Sequence, residues 1–301
     1  MPSLKAIKRR IASVSNTQQI MKAMNMVSAS KVHKNKLKME AIKPLFDDTK
    51  DFFDQGIAFE NQEDNIYFAS RSRRSTAYIV ISGERGLCGS YNSNVLKAAL
   101  SHMENENIET KEKIITIGAK GKDFFVRRNK NVVDDHPGVL ENISYSVAED
   151  IAVSLTKMFV EDDENLGNYD NHENQGNLID EIYIVYTQFE TLLSHIPTVV
   201  KLLPFEPSVP ENVIESDDTV IYEPDVYTYL KKAVPIYLAM YIYGAMVEAS
   251  VCEQASRMIS MDAAARNAEE IVDDLTLLYN RQRQSVITQE ISEIVGGANA
   301  I

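Results

Sequence analysis

The residues with most chemical potential stand in two glycine-bearing turns. Gly83-Glu84-Arg85-Gly86-Leu87-Cys88-Gly89 follows the apolar run Thr76–Ser82 (TAYIVIS) and precedes a helical pattern from Tyr91 to Met103. A turn between strand and helix is where backbone amides can cradle phosphate. This one lacks the Gly-Lys-Ser/Thr ending of a phosphate loop and the three-glycine spacing of a dinucleotide site. Gly118-Ala119-Lys120-Gly121-Lys122 suggests phosphate binding by composition only. In both turns the glycines are read as permitting a tight strand-to-helix reversal.

Other chemistry is equally thin. Cys88, at the start of a helix, could be a reactive thiol, but a small buried filler is the expected role. Its one companion, Cys252, is far away, and no CxxC or metal spacing occurs, which fits a reducing compartment. His33, His102, His136, His172 and His195 form no HxH or HxxxH pair. Asp47-Asp48, Asp134-Asp135 and Asp273-Asp274 read as solvated faces on a chain of net charge −13. No catalytic set, cofactor site or metal site is expected.

The elements that would position such groups fall into three parts. From Ser3 to about Gly56, Leu4, Ile7, Ile11 and Val14 recur every three or four residues, and Met21, Met24 and Val27 continue the stripe with a slight drift. Ser3 can cap this helix, about 75 Å long at 1.5 Å per residue, and Pro44 should kink or break it. From Glu223 to Val295 a second helix begins at Tyr222-Glu223-Pro224-Asp225, with Pro235 expected to bend it. It carries the heptad stripe Met258, Met261, Ala265, Ala268, Val272, Leu275, Tyr279, Gln282, Val286 and should stop at Gly296 and Gly297. Neither stripe can be buried alone, so the two ends should pair as an antiparallel coiled coil; two ordinary core-packed helices are the plainer alternative. The apolar run Ala233–Val247 is too short for a bilayer, which needs about 20 residues, and should pack against protein.

The middle has a different texture. Thr76–Ser82, Lys113–Gly118, Asp180–Thr187 and Ile196–Leu203 read as strands. Helical patterns run from Tyr91 to Met103, from Lys120 and over Ser144–Val160, giving a small, largely parallel, Rossmann-like α/β sheet. Glu161–Asn177 reads as an acidic surface loop, and Pro204–Asp218 as a connector or latch. The expected fold class is thus α/β, with a coiled-coil shaft from residues 1–57 and 223–301 and a globular domain over 58–222.

Charge is uneven along the chain. Residues 1–43 hold ten Lys/Arg against one acid, Glu40, while the remainder is acidic. The overall balance weighs against general nucleic-acid binding. A basic helix with an apolar seam suits an acidic protein partner, though a DNA- or membrane-associated scaffold is a further alternative.

Several motifs resemble one family. Ser3-Leu4-Lys5-Ala6-Ile7-Lys8-Arg9-Arg10-Ile11-Ala12-Ser13-Val14, Thr17-Gln18-Gln19-Ile20 and Met24 look like the opening helix of ATP synthase gamma subunits. Glu253-Gln254-Ala255-Ser256-Arg257-Met258, Asn267-Ala268, Tyr279-Asn280-Arg281 and Arg283 through Ile291 look like its close, and Arg85-Gly86-Leu87-Cys88-Gly89 and Tyr222-Glu223-Pro224-Asp225 are similar too. Asp262 departs from the pattern, since Lys is common there, as do Gly83-Glu84. The plastid-type cysteine pair is absent.

The resemblance implies a rotor shaft with no active site or cofactor of its own, threaded through a hexamer of alpha and beta subunits. It implies contacts of Met24 and Arg257 near an acidic beta-subunit loop, and a polar catch at Arg283, Gln284 and Thr288. It also implies a foot near Tyr222 and Glu223 that meets the epsilon subunit and the ring of c subunits. Such a chain would couple ion-driven rotation to ATP synthesis or hydrolysis, peripheral to the cytoplasmic face of a bacterial plasma membrane. A nucleotide-binding α/β enzyme with helical dimerisation arms is the alternative, and it requires a working phosphate loop.

Overall fold

The computed structural model describes residues 3–56, 66–68, 74–105, 111–160, 179–205 and 226–298. The elements run α1 (Leu4–Gly56), β1 (Ser75–Ile81), α2 (Tyr91–Asn105), β2 (Lys111–Ile117), α3 (Ala119–Val126), β3 (Val132–His136), α4 (Tyr145–Val160), β4 (Glu181–Phe189), β5 (His195–Leu203) and α5 (Val226–Ala298). Contacts divide the chain into two units, Met1–Ser30 with Arg257–Ile301, and Lys31–Ser256.

The larger unit is built on one five-stranded sheet of order β3-β2-β1-β4-β5. Pairing is parallel except for the β4–β5 hairpin. Alternation along the strands splits the core. Ala77, Ile79 and Ile81 of β1 join Ile182, Ile184, Leu155 and Phe159 on the α4 face, where Val234, Leu238, Ile242 and Met246 of α5 complete the layer. Tyr78 and Val80 join Val95, Leu96, Ala99 and Phe125 on the face covered by α2 and α3. β1 is buried along its whole length, as its continuous apolar run predicts.

The apolar stretch of α5 is therefore a core element. One helix, over Thr228–Val295, is long and apolar enough to cross a membrane, but 61% of its apolar window is buried inside the protein. Strand β3 was not legible as a strand. Its sequence, VVDDH, is short and acidic and buried on neither face, and it is ordered through pairing with β2 alone. That is how an edge strand differs from the central strands that the β-rich runs reveal.

In the smaller unit the outer part of α1 lies antiparallel to the outer part of α5. Gln18 Nε2 donates to Glu269 Oε2 at 3.1 Å, and Asn25 Nδ2 donates to the Met258 carbonyl at 3.0 Å. From Ala265 to Val286 the positions of the α5 stripe are the ones not exposed, as the heptad reading requires. On α1 the stripe needs correction. It does not drift through Met24 and Val27, because Val27 is 57% exposed and Ser28 is buried at 2%. The spacing holds strictly through Leu4, Ile7, Ile11, Val14, Gln18, Met21, Asn25 and Ser28, with Met24 half-buried on the flank. Polar residues in the seam hid this regularity from a reading based on apolar side chains.

Pro44 does not break α1, which continues through it to Gly56, and α5 continues through Pro235 and then through Gly296 and Gly297, where a stop was expected, to Ala298. The Glu161–Asn177 loop, most of Pro204–Asp218 and the helix start at Tyr222–Asp225 lie outside the described residues.

Gly118 shows what the strand–helix turns demand. Its φ is +97°, and a Cβ there would stand 2.1 Å from the Ser82 carbonyl oxygen. Gly118→Ala should cost about 3 kcal/mol or more, combining backbone strain with a clash against main chain. Urea unfolding of the full chain checks this.

Candidate functional site

In an open α/β sheet a ligand binds beyond the carboxyl ends of the strands where the strand order reverses, here between β1 and β4. This chain fills that crevice itself. Cys88, Tyr91 and Cys252 form a buried cluster there, with Phe189 packed against it. The Tyr91 hydroxyl donates to the Ala249 carbonyl of α5 at 3.0 Å. Gly83 is pressed so close that a Cβ would meet Asn92 Oδ1 at 2.8 Å and the Glu253 carboxylate at 3.0 Å.

The second turn is occupied in the same way. Ser82 Oγ accepts from the Gly121 amide at 2.7 Å, and Glu84 Oε2 accepts from the Ala119 amide at 3.1 Å. The other Glu84 oxygen accepts from the Leu140 amide at 3.2 Å. A phosphate at the start of α3 would need those same donors. Glu84 already supplies an anion in its place, which removes the loop that the nucleotide-binding alternative requires.

Other potentially reactive groups are bound into the structure. Cys88 is buried and accepts a hydrogen bond from Asn92 Nδ2 at 3.2 Å. Burial pushes the Cys252 thiol far above its ordinary range, and its Sγ donates to the Thr187 carbonyl at 3.4 Å. Three histidines have local partners: His102 with the Tyr78 hydroxyl, His136 with Asp134, and His195 with Ser256. These are packing and positioning contacts.

The outer surface of the paired helices is accessible. Ile20 (61% exposed), Met26 (71%) and Leu277 (68%) point away from the seam. Beyond Val286, Ile287, Ile291, Ile294 and Val295 are exposed as well. Large apolar side chains exposed along the outside of a paired helix, here among charged ones, mark a surface suited to contact with other protein.

The residues expected to make partner contacts sit as follows. Met24 is half-buried on the flank of the α1 seam, and Arg257 is 6% exposed, its side chain already covered by this chain. Arg283, Gln284 and Thr288 are exposed along one stretch of α5. The Thr288 hydroxyl donates to the Gln284 carbonyl at 2.9 Å, leaving its oxygen lone pairs as acceptors. Tyr222 and Glu223 lie outside the described residues.

A family model described as ATP synthase matches residues 3–301. An ATP synthase gamma chain of Alkaliphilus metalliredigens is 38% identical over 299 residues, covering 98% of this chain and 97% of that protein. Another from Pelotomaculum thermopropionicum is 38% identical over 301 residues and covers both proteins completely. The chain belongs to the ATP synthase gamma-chain family. Among solved structures it resembles a chain of the Euglena gracilis mitochondrial ATP synthase assembly of OSCP, F1 and c-ring, with TM-score 0.64 and 16% identity, covering 99% of this chain and 94% of that one. A chain of the Tetrahymena thermophila central stalk and c-ring gives TM-score 0.55 at 21% identity, covering 81% and 99%. At those identities the likeness concerns the fold alone.

Two features of this gamma-chain fold escaped the sequence reading. The polar seam positions Gln18 and Asn25 could have been found by extending the strict heptad from Leu4. Glu248 had no such signal. Its Oε1 accepts from the Phe189 amide at 2.8 Å, and burial raises its pKa above the ordinary carboxylate value, partly offset by that bond and by Lys43. Because the folded-state pKa is raised, ionisation disfavours the fold. Stability should fall as pH rises from the unfolded value of about 4.3 through the raised one, and stay lower above it. Glu248→Gln, whose amide oxygen can still accept from Phe189, should flatten this decline and gain stability relative to the parent chain at pH 8 against pH 4. Urea unfolding at the two values measures the difference.

Proposed function

We propose that the chain is the rotating central shaft of a proton- or sodium-driven ATP synthase, coupling turning of a c-ring to ATP synthesis or hydrolysis at sites on alpha and beta subunits. The observation that carries this reading is the paired outer helices, whose outward Ile20, Met26, Leu277 and Ile294 stand exposed among charged residues and suit an enclosing sleeve. The α/β domain is the foot, which meets the epsilon subunit and the c-ring around Tyr222 and Glu223. Membrane attachment is peripheral, on the cytoplasmic face of a bacterial plasma membrane, and comes through the complex.

Such a shaft works without a reacting group. A partner changes a conformational equilibrium only through contacts that differ between states. A symmetric rod would touch three catalytic subunits alike and bias none of them. This pair is unsymmetrical in charge: between Lys5 and Lys22 the α1 side carries cations and no acid, whereas α5 carries Glu269, Glu270, Asp273 and Asp274 close together. Turning it presents a different face to each subunit in succession. The basic side suits an acidic loop on the beta subunits, with Met24 at the contact and Arg257 supporting it from beneath. Arg283 makes charge-assisted bonds in the sleeve, while Gln284 and Thr288 make neutral ones.

Co-expression with the other subunits tests the assignment. Alpha and beta subunits should co-purify in excess over this chain, as a hexamer around one shaft requires, and equal amounts would refute that. Met24→Lys places a new cation at the beta-subunit contact. In complexes reconstituted into vesicles it should lower the ions pumped per ATP hydrolysed while hydrolysis persists. The loss should correspond to about 0.5–2 kcal/mol, the range over which single side chains modulate coupling. Unaltered pumping would remove Met24 from the contact set.

A further inference from the structure

Around Asn25 the seam positions hold small or flexible side chains, Met21 and Ser28 on α1 and Met258, Met261, Ala265 and Ala268 on α5. Alanine offers little to interlock with, and methionine adapts its shape to what lies opposite. Such a seam packs nearly as well over a range of axial and rotational offsets. Something more directional must set which offset is adopted.

Asn25 meets that need. It occupies a seam position that the heptad from Leu4 would give to an apolar residue, is half-buried, and donates from Nδ2 to the Met258 carbonyl at 3.0 Å. A helical carbonyl oxygen keeps a second lone pair beyond its own helix bond, so it can accept this one. The bond tolerates only tenths of an ångström in length and a limited range of angle. Its loss would leave an amide unpaired in the seam, which makes other offsets unfavourable. A second tie two turns away on α1 is looser: Glu269 accepts from Gln18 at 3.1 Å and lies 3.6 Å from Lys22 Nζ, but it is mostly exposed to water.

We propose that Asn25 is a positioning residue that fixes the local offset of α1 against α5, and so holds the adjacent Met24 where the turning shaft presents it to the catalytic subunits. This rests on the reading of Met24 as a partner contact. A polar residue in a coiled-coil seam selects one arrangement at some cost in stability. Removing Asn25 should therefore separate stability from coupling, which an ordinary packing residue would not do.

The test is Asn25→Leu in the assembled complex, with spin labels at the exposed positions 16 and 267 (Asn16→Cys, Asn267→Cys); the native Cys88 and Cys252 are both buried. Distances between labels report the offset, while ion pumping per ATP hydrolysed and thermal unfolding of the complex are read in parallel. The expected result is a broadened or shifted distance distribution, unchanged or higher thermal stability, and coupling reduced roughly threefold or more. A distribution identical to that of the parent overturns the proposal, including when stability and coupling fall together, because Asn25 would then be a packing residue. A changed distribution with normal coupling upholds the positioning role and instead contradicts the reading of Met24 as a contact.

Discussion

The fold depends on a burial constraint placed at the two ends of the chain. Each end carries one narrow stripe on a long helix, and a lone helix in water has nowhere to put it. Ile7, Ile11 and Met21 on one side and Met261, Ala265 and Ala268 on the other are covered by pairing. Around Asn25 that pairing uses little large aliphatic surface. Polar bonds from Gln18 and Asn25 supply direction where packing supplies little. In the larger unit, Asn35 bonded to Ser250 at 2.8 Å repeats the device. Such a seam makes sense for a pair completed by contacts with other subunits.

The sheet domain shows how a fold often used for nucleotides can be turned to another purpose. Its topology offers a crevice at the reversal of strand order, yet among the described residues the groups at its two glycine turns meet partners within the chain. Glu84 stands where a phosphate would, Ser82 takes the Gly121 amide, and the Tyr91–Cys252 cluster closes the space beside β4. The apolar segment of α5 supplies much of one core layer, with Val234, Leu238 and Ile242 fully buried. The shaft helix and the sheet domain are consequently one folding problem over residues 31–256, and the rigid seating of α5 in that core follows from it.

Much of this was legible in the sequence, for physical reasons. A buried parallel strand such as β1 reads as an unbroken apolar run, and the α5 stripe reads as a heptad because its members are all of modest polarity. The glycine turns were legible as strand-to-helix reversals, which the φ of +97° at Gly118 requires. Edge strand β3 was hidden because one-sided pairing makes no demand for apolar residues. The glycines at 296 and 297 were given too much weight as a stop, and a helix packed on both sides of Pro44 continues through it. The seam at Asn25 and the charge at Glu248 were missed because a buried polar group reveals itself only through its partner, here a carbonyl 233 residues away and an amide 59 residues away. Motif likeness suggested partner contacts at Arg257 among others, but not that Arg257 is covered by its own chain.

These features suit the central stalk of an ATP synthase: the paired outer helices carry charge unevenly on a surface that other subunits can touch. The most direct measurement is single-molecule rotation of the complete complex, immobilised through the alpha and beta subunits, with a bead attached through Arg127→Cys on the exposed end of α3. ATP should drive sustained rotation of the bead in one direction. Full-rate hydrolysis in the same molecules with the bead stationary would contradict the account.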